Sequence, residues 1–242
     1  MKFNWNIIKY FSIITIVLFL FGFANHKNEA RKIRDVQIQF QQGENLFMDY
    51  EMVNKLLIQK AGQLKNKSKS LIDLNGLEKQ VLTHPMVEHA ATYITVDGLL
   101  RVSIQQRTPI GRINTNTESY YIDRQGEMMP LSKNYSARVP IITGFSPSEN
   151  TEDLFKLLTH ILNDDFLKKQ IVGIHKRSEN DFVLKTRMGN HEIELGEVSD
   201  LATKFKKLKT FYNYSIPNNT IEKYKNINLE YNNQVVCTKK AA

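Results

Sequence analysis

The sequence predicts an α+β protein: an N-terminal transmembrane helix, a small β-α-α-β-β module, and then a larger, mixed antiparallel β-rich domain with helices. Three observations predict that order. An apolar run without charge opens the chain. One strand period, two helical periods and two strand periods then succeed one another, and beyond Tyr120 short alternating strands are separated by two long amphipathic patterns. With 242 residues, 41% hydrophobic and 24% charged, the chain has material for a real core and lies between one large domain and two small ones. The formal charge of +8 suits an anionic neighbour such as a membrane surface or nucleic acid, yet the lysines are dispersed, the pattern of a solvated surface. Cys237 is the sole cysteine, so no disulfide forms within the chain, and cysteine usage does not fix the compartment.

The first element is "YFSIITIVLFLFGFA", Tyr10 to Ala24, which Ile7 and Ile8 extend past a Lys9 able to snorkel. As a helix, residues 7–24 span about 27 Å, close to the hydrocarbon thickness of a bilayer, and Trp5 and Tyr10 fall where interfacial aromatics belong. A buried core helix is disfavoured by this length and composition. Gly22-Phe23-Ala24 passes as a signal-peptidase site, but the run is longer than a usual signal core and lacks a strongly basic start, which favours an uncleaved anchor. Lys2 and Lys9 precede the span, whereas Lys27, Arg31, Lys32 and Arg34 follow it; the positive-inside rule, taken literally, keeps the large domain in the cytoplasm.

Next, "IRDVQIQF" alternates Val36, Ile38 and Phe40 on one face, a half-buried strand. Asp49 caps a helix whose stripe is Met52, Val53, Leu56 and Leu57 and which ends at Gly62. "LKNKSKS" is a polar loop. Asn75 and Glu78 have capping-box spacing for a short second helix that buries Leu77, Val81 and Leu82 and ends at His84, before Pro85. Val87 to Val96 is rich in strand formers, Asp97-Gly98 reads as a two-residue hairpin turn, and Leu100, Val102 and Ile104 alternate with polar residues. His84 and His89 fall on different elements, so their spacing does not build a metal site.

The second region opens with a hairpin: Tyr120 to Ile122, a turn at Asp123 to Gly126, and an arm through Leu131. Thr151 caps "EDLFKLLTHILNDDFLKKQ", with Leu154, Leu157, Leu158, Ile161 and Leu162 as its apolar stripe. "IVGIHKRS", "FVLKT" and "HEIEL" make an antiparallel meander. A helix carrying Leu201, Phe205, Leu208, Phe211 and Tyr212 comes next, and its Lys204, Lys206, Lys207 and Lys209 read as a solvated face. Ile227, Leu229 and Tyr231 alternate before Asn232-Asn233, and Val235 to Cys237 make a returning strand.

Chemistry is sparse. The six histidines are scattered, and neither a nucleophile elbow nor a phosphate-binding glycine loop occurs. Asp164-Asp165 reads as solvent-exposed and Cys237 as a small buried apolar residue. The aromatics occupy core periods rather than interleaving with clustered Arg, so no nucleic-acid partner is proposed.

The order β-α-α-β-β resembles the POTRA module. "LEKQVLTHPMVEHAATY" followed by "LLRVSIQQRTPIGRI" resembles the helix, His-Pro-x-Val and final strand of the FtsQ/DivIB bacterial cell-division family, with Gln106-Arg107-Thr108-Pro109 and Gly111 departing slightly from its Glu-Arg-x-Pro-x-Ala run. "YYIDRQGEMMPLS", "ARVPIITG" and "INLEYNNQVVC" are similar to later segments of that family. The resemblance implies residues 1–6 as a short cytoplasmic tail, 7–24 as the transmembrane helix, 33–107 as a POTRA-like domain and 108–238 as a β-rich C-terminal domain. It further implies a non-enzymatic, single-pass scaffold of the divisome in the cytoplasmic (inner) membrane. The body lies on the periplasmic side, concentrated at the septum, and links early and late division proteins, with no cofactor and no small-molecule substrate. Long domains after a span translocate with little regard to flanking charge, which resolves the conflict over orientation. The implied partners are the coiled-coil division proteins FtsB and FtsL and other divisome membrane proteins, with the bilayer contacted through residues 7–24. Aligning "INLEY" by its alternation carries partner binding onto Glu230, Tyr231, Asn233, Gln234, Val236 and Lys239. The alternatives are a POTRA-bearing protein of envelope transport or outer-membrane assembly, which normally needs further modules or a β-barrel, and an envelope enzyme.

Overall fold

The computed structural model describes residues 5–41, 47–146 and 149–241. Residues 1–4, most of the expected tail, lie outside the described residues, as do the side chains of Trp5, Ile7 and Ile8. The chain divides into two compact units, Met1–Gln106 and Arg107–Ala242.

In the first unit, helix α1 (Trp5–Glu29) carries the apolar run and continues past Ala24, since nothing in Asn25–Glu29 breaks a helix and His26 and Lys27 suit the negative end of its dipole. Its large apolar side chains from Tyr10 to Phe23 are exposed; among the described residues it is the helix long and apolar enough to cross a membrane. Strand β1 (Asp35–Phe40) half-buries Val36 and Ile38 and buries Phe40. Helix α2 (Tyr50–Ala61) starts at Asp49, whose carboxylate accepts from Met52 N at 2.8 Å, and ends at Gly62, where φ is +64°. Val53 and Leu57 are buried, while Met52, expected on the same stripe, is exposed at its margin.

Helix α3 (Leu74–Leu82) corrects two expectations. Its cap is Asp73, not Asn75: the Asp73 carboxylate accepts from Gly76 N at 2.9 Å, and a Cβ on Gly76 would sit 2.3 Å from that carboxylate. Glu78 does not close a capping box but accepts from Thr92 N at 3.2 Å. Strands β2 (Val87–Ile94) and β3 (Leu99–Gln106) then form an antiparallel hairpin. Its connection is a turn closed by Gly98 N on Thr95 O with Gly98 at φ +86°, not a two-residue Asp97-Gly98 turn; Asp97 keeps a negative φ and only the glycine turns left-handed. The sheet order is β1-β3-β2, with β1 parallel to β3, so α2 and α3 form the crossover that a parallel pair demands. Val53, Leu57, Leu77, Val81, Val102 and Ile104 are among the residues that fill the layer between.

The second unit is built on one nine-stranded sheet. Strands β4 (Pro109–Asn114), β5 (Ser119–Asp123) and β6 (Met128–Pro130) form a meander. Asp123 organises its second turn: Oδ1 accepts from Gln125 N and Glu127 N at 2.9 and 2.8 Å, and Arg107 pairs with Oδ2 at 2.7 Å. Strand β7 (Ile141–Thr143) returns parallel to β4 and ends at Gly144, where φ is +87° and a Cβ would lie 2.1 Å from the Lys176 carbonyl, so only glycine fits.

The expected helix over 152–170 is two helices. Helix α4 (Glu152–Leu162) stops at Asn163, and Asp164 starts α5 (Asp165–Gln170) by accepting from Phe166 N and Leu167 N. Thr151 stands at the first N-cap but its side chain makes no capping bond; Asn150 Oδ1 accepts from Glu152 N instead, at 2.8 Å. The meander β8 (Ile171–Ser178), β9 (Asp181–Thr186) and β10 (Glu192–Gly196) is antiparallel. Helix α6 (Leu201–Ser215) then crosses over to β11 (Tyr224–Asn228), parallel to β10, and β12 (Val236–Lys239) closes the chain antiparallel to β11. The order is β12-β11-β10-β9-β8-β7-β4-β5-β6. Leu154, Leu157, Leu158 and Ile161 of α4, with Phe205, Leu208 and Tyr212 of α6, pack on Ile174, Leu184, Ile193 and Ile227 of the sheet.

Candidate partner-binding edge

The six residues that the family resemblance singles out lie along the β11–β12 hairpin, and all six are exposed. The structure places Glu230, Tyr231, Asn233 and Gln234 in the connection, Val236 at the first position of β12 and Lys239 at its last. Strand β12 pairs Val236 with Asn228, Cys237 with Ile227, Thr238 with Asn226 and Lys239 with Tyr224. It stands at the end of the sheet order, so its other side meets no strand among the described residues. Alternation sends Cys237 onto the core while Val236, 41% exposed, points the other way. Lys239 shares the Cys237 side, so Val236 and Lys239 do not form one patch.

The connection is held in shape from below. Glu230 N donates to Asn228 Oδ1 at 2.8 Å, and its carboxylate accepts from Asn228 Nδ2 at 3.0 Å. Asn233 takes φ +60°, a conformation asparagine tolerates better than most residues. Lys207 of α6 donates to three carbonyls of the connection: Leu229 at 3.0 Å, Tyr231 at 2.6 Å and Gln234 at 3.4 Å. Beside it runs an apolar groove lined by Phe211, Tyr214 and Val235.

The lysines of α6 therefore overturn their sequence reading as a solvated face. Lys204 is buried and donates to Leu195 O and Glu197 O at 2.9 and 2.8 Å; burial pulls its pKa below the usual lysine value, with Glu197 and Glu230 opposing. Lys209 pairs with Asp164. Burial pushes the Asp164 carboxyl up, but Lys209 and the N–H groups of α5 outweigh it and hold it below the usual carboxylate range. Asp164 is thus a helix cap in an ion pair, not a free solvent-exposed acid. Lys206 alone of the four keeps the exposed position expected for them all. Position carried a signal for Lys204, which lies on the same helical stripe as Leu201, Phe205 and Leu208.

Two further perturbed groups, Tyr212 and His191, sit in the core. Tyr212 hydroxyl, pushed up to about 12 by burial, contacts His191 Nε2 and accepts from Gln170 Nε2 at 3.2 Å. His191, 2% exposed, is held below its usual value by burial, and burial raises the Cys237 thiol. What the hairpin offers is main-chain pairing at β12 and side-chain contacts around it, the chemistry of strand addition.

Comparison with known proteins gives a consistent picture. The family model "FtsQ/DivIB, C-terminal related" matches residues 108–238, more than half of the chain, and the POTRA-like domain model matches residues 31–105. Cell division protein FtsQ of Geotalea daltonii is 23% identical over 178 residues, covering 69% of this chain and 63% of that protein. Cell division protein FtsQ of Salinibacter ruber is 23% identical over 172 residues, covering 65% and 66% respectively, so the chain spans just under two thirds of the length of both relatives. The major extracytoplasmic domain of DivIB from Geobacillus stearothermophilus aligns with a TM-score of 0.30 at 11% identity, over 47% of this chain and 97% of that one, a likeness too weak to argue from.

Proposed function

The chain belongs to the FtsQ/DivIB-related family, and from that premise we propose that it is a non-enzymatic, single-pass scaffold of the divisome that links early and late division proteins at the septum. Membership of the family supports a role in division; that role, the bridging, the partners and the sites are our reading. In it, α1 remains as an uncleaved anchor in the cytoplasmic membrane, and the rest of the first unit and the whole second unit lie on the periplasmic side. The small coiled-coil proteins FtsB and FtsL add a strand to the outer side of β12, contacting Glu230, Tyr231, Asn233, Gln234, Val236 and Lys239.

The observation that carries the reading is the exposed terminal strand itself: Val236–Lys239 ends the sheet order, and its pattern is exposed except for Cys237. Such an edge presents a row of backbone donors and acceptors to a partner. Lys240 N donates inward to Lys223 O, so alternation turns the Lys239 N–H outward; proline is tolerated there on an edge strand, and Lys239→Pro removes one outer donor with little cost to the fold. The expected result is partner capture weakened about tenfold or more with circular dichroism and melting near wild type, since a lost main-chain bond to a partner leaves its carbonyl unpaired. Undiminished capture by the folded variant overturns strand addition at this edge.

A further inference from the structure

Three segments distant in sequence meet where the chain leaves α1. Ile33 N donates to Lys67 O, Asn66 N to Ile33 O and Lys69 N to Arg31 O, each at 2.8 Å, and Lys32 bridges to Ser68. The tip of the β2–β3 hairpin joins them: Arg34 N donates to Gly98 O at 2.8 Å, and the Arg31 guanidinium donates to Val96 O. Gly98 permits this approach, since a Cβ there would lie 2.8 Å from Lys32 O.

The convergence gathers Lys27, Arg31, Lys32, Arg34, Lys67 and Lys69 around the helix exit, against Glu29 and Asp97; Asp35 is met by Lys65 at 3.9 Å. Two apolar side chains stand out among these cations, Leu71 at 76% exposure and Val96 at 78%. Leu71 ends a 3-10 turn, Lys69–Leu71, that packs against α1. The 25 residues of α1 extend about 37 Å against a hydrocarbon core of about 30 Å, which puts its last turn in the headgroup layer and the cations just beyond.

We propose that this face of the first unit docks on anionic phospholipid headgroups of the leaflet from which α1 emerges, with Lys and Arg on the phosphates and Leu71 and Val96 at the acyl boundary. The proposal rests on the reading of α1 as a membrane anchor. Charge complementarity and continuity with the membrane-crossing helix identify the occupant: cations flanking exposed apolar side chains are the signature of an interfacial surface. Headgroup binding also gives a physical role to basic residues placed after the span, on the side where the positive-inside rule does not expect them.

The test uses the full chain with Cys237→Ser and a fluorophore on Ser70→Cys, reconstituted in vesicles of phosphatidylcholine with or without phosphatidylglycerol and containing headgroup spin-labelled lipid. Quenching about twofold or more stronger with phosphatidylglycerol is expected, falling to the phosphatidylcholine level in K32E/R34E/K67E/K69E. The neutral set K32Q/R34Q/K67Q/K69Q reads the same effect if charge reversal perturbs the fold by circular dichroism. Equal quenching in both vesicles, or quenching indifferent to both sets of substitutions, overturns headgroup docking. Resistance to carbonate extraction is read in parallel: release of the wild-type chain overturns the anchor instead, whereas retained but unresponsive protein overturns only the docking.

Discussion

The two ends of the nine-stranded sheet differ in chemistry more than in length. Strand β6 is Met128–Pro130, three residues that close on a proline without an N–H, and the segment after it folds back so that Ala137 N donates to the Tyr121 hydroxyl of neighbouring β5 at 3.1 Å. Strand β12 is Val236–Lys239, four residues without proline, and pairs with β11 along its whole length. Proline and brevity are the usual devices that keep a sheet end from pairing, and β6 has both. The β12 end is also short but has no proline, and Lys239 and Lys240 are what it has in place of one to discourage indiscriminate pairing. In the proposed function such a sheet is closed to pairing at β6 and open to a partner at β12.

The largest effect should come from breaking the support of the β12 end. Ile227 of β11 is fully buried opposite Cys237, and Ile227→Asp buries an unpaired carboxylate at a cost of roughly 4 kcal/mol or more. Melting of the full chain should show the second unit lost, and partner capture lost with it. A smaller effect is expected at Lys207, where Met keeps the apolar stem but removes the donor to three carbonyls, at a cost of about 1–2 kcal/mol. Faster hydrogen exchange across 229–234 in Lys207→Met, with Lys206→Met near wild type, is the result to look for.

Acid should soften the β12 half of the sheet. His191 is held below the ordinary histidine value of 6.5 by burial, with Lys240 also lowering it and the Gly189 backbone and Glu222 opposing. The unfolded state therefore binds the proton first. Stability is fully present above 6.5 and falls as pH drops below it, until the folded histidine also titrates. Gln retains a donor toward Tyr212 without titrating, so the melting temperature of His191→Gln should depend less on pH over that window. The smallest effect belongs to the other end: Pro130→Thr restores an N–H on β6, changes stability by less than about 0.5 kcal/mol, and should recruit no partner there.

Where the sequence was legible, local chemistry and fold agreed. Asp49 and Gly62 bracket α2 because a carboxylate cap and a left-handed glycine act on their immediate neighbours. The Val102 and Ile104 alternation identifies β3 for the same reason. The misreadings share a cause too: each depended on something distant or on a competing local choice. Asp73 won over Asn75 because Gly76 leaves room for its carboxylate. The lysines of α6 read as solvated because the carbonyls that Lys207 holds and the carboxylate that Lys209 meets arrive from other elements. The candidate edge was legible only as the alternating pattern of a returning strand. Its register on β11, and the lysine clamp beneath its turn, belong to tertiary structure.

Everything proposed for the sheet turns on β12, and not β6, receiving a partner strand. Backbone hydrogen exchange of the full chain, with and without the periplasmic part of an FtsB/FtsL-like partner, tests it most directly. Strand addition at β12 predicts that the amides on the outer side of Val236–Lys239 gain protection in the complex, while Met128–Pro130 exchanges as before. Partner binding that leaves β12 exchange unchanged, or that protects β6 instead, contradicts it.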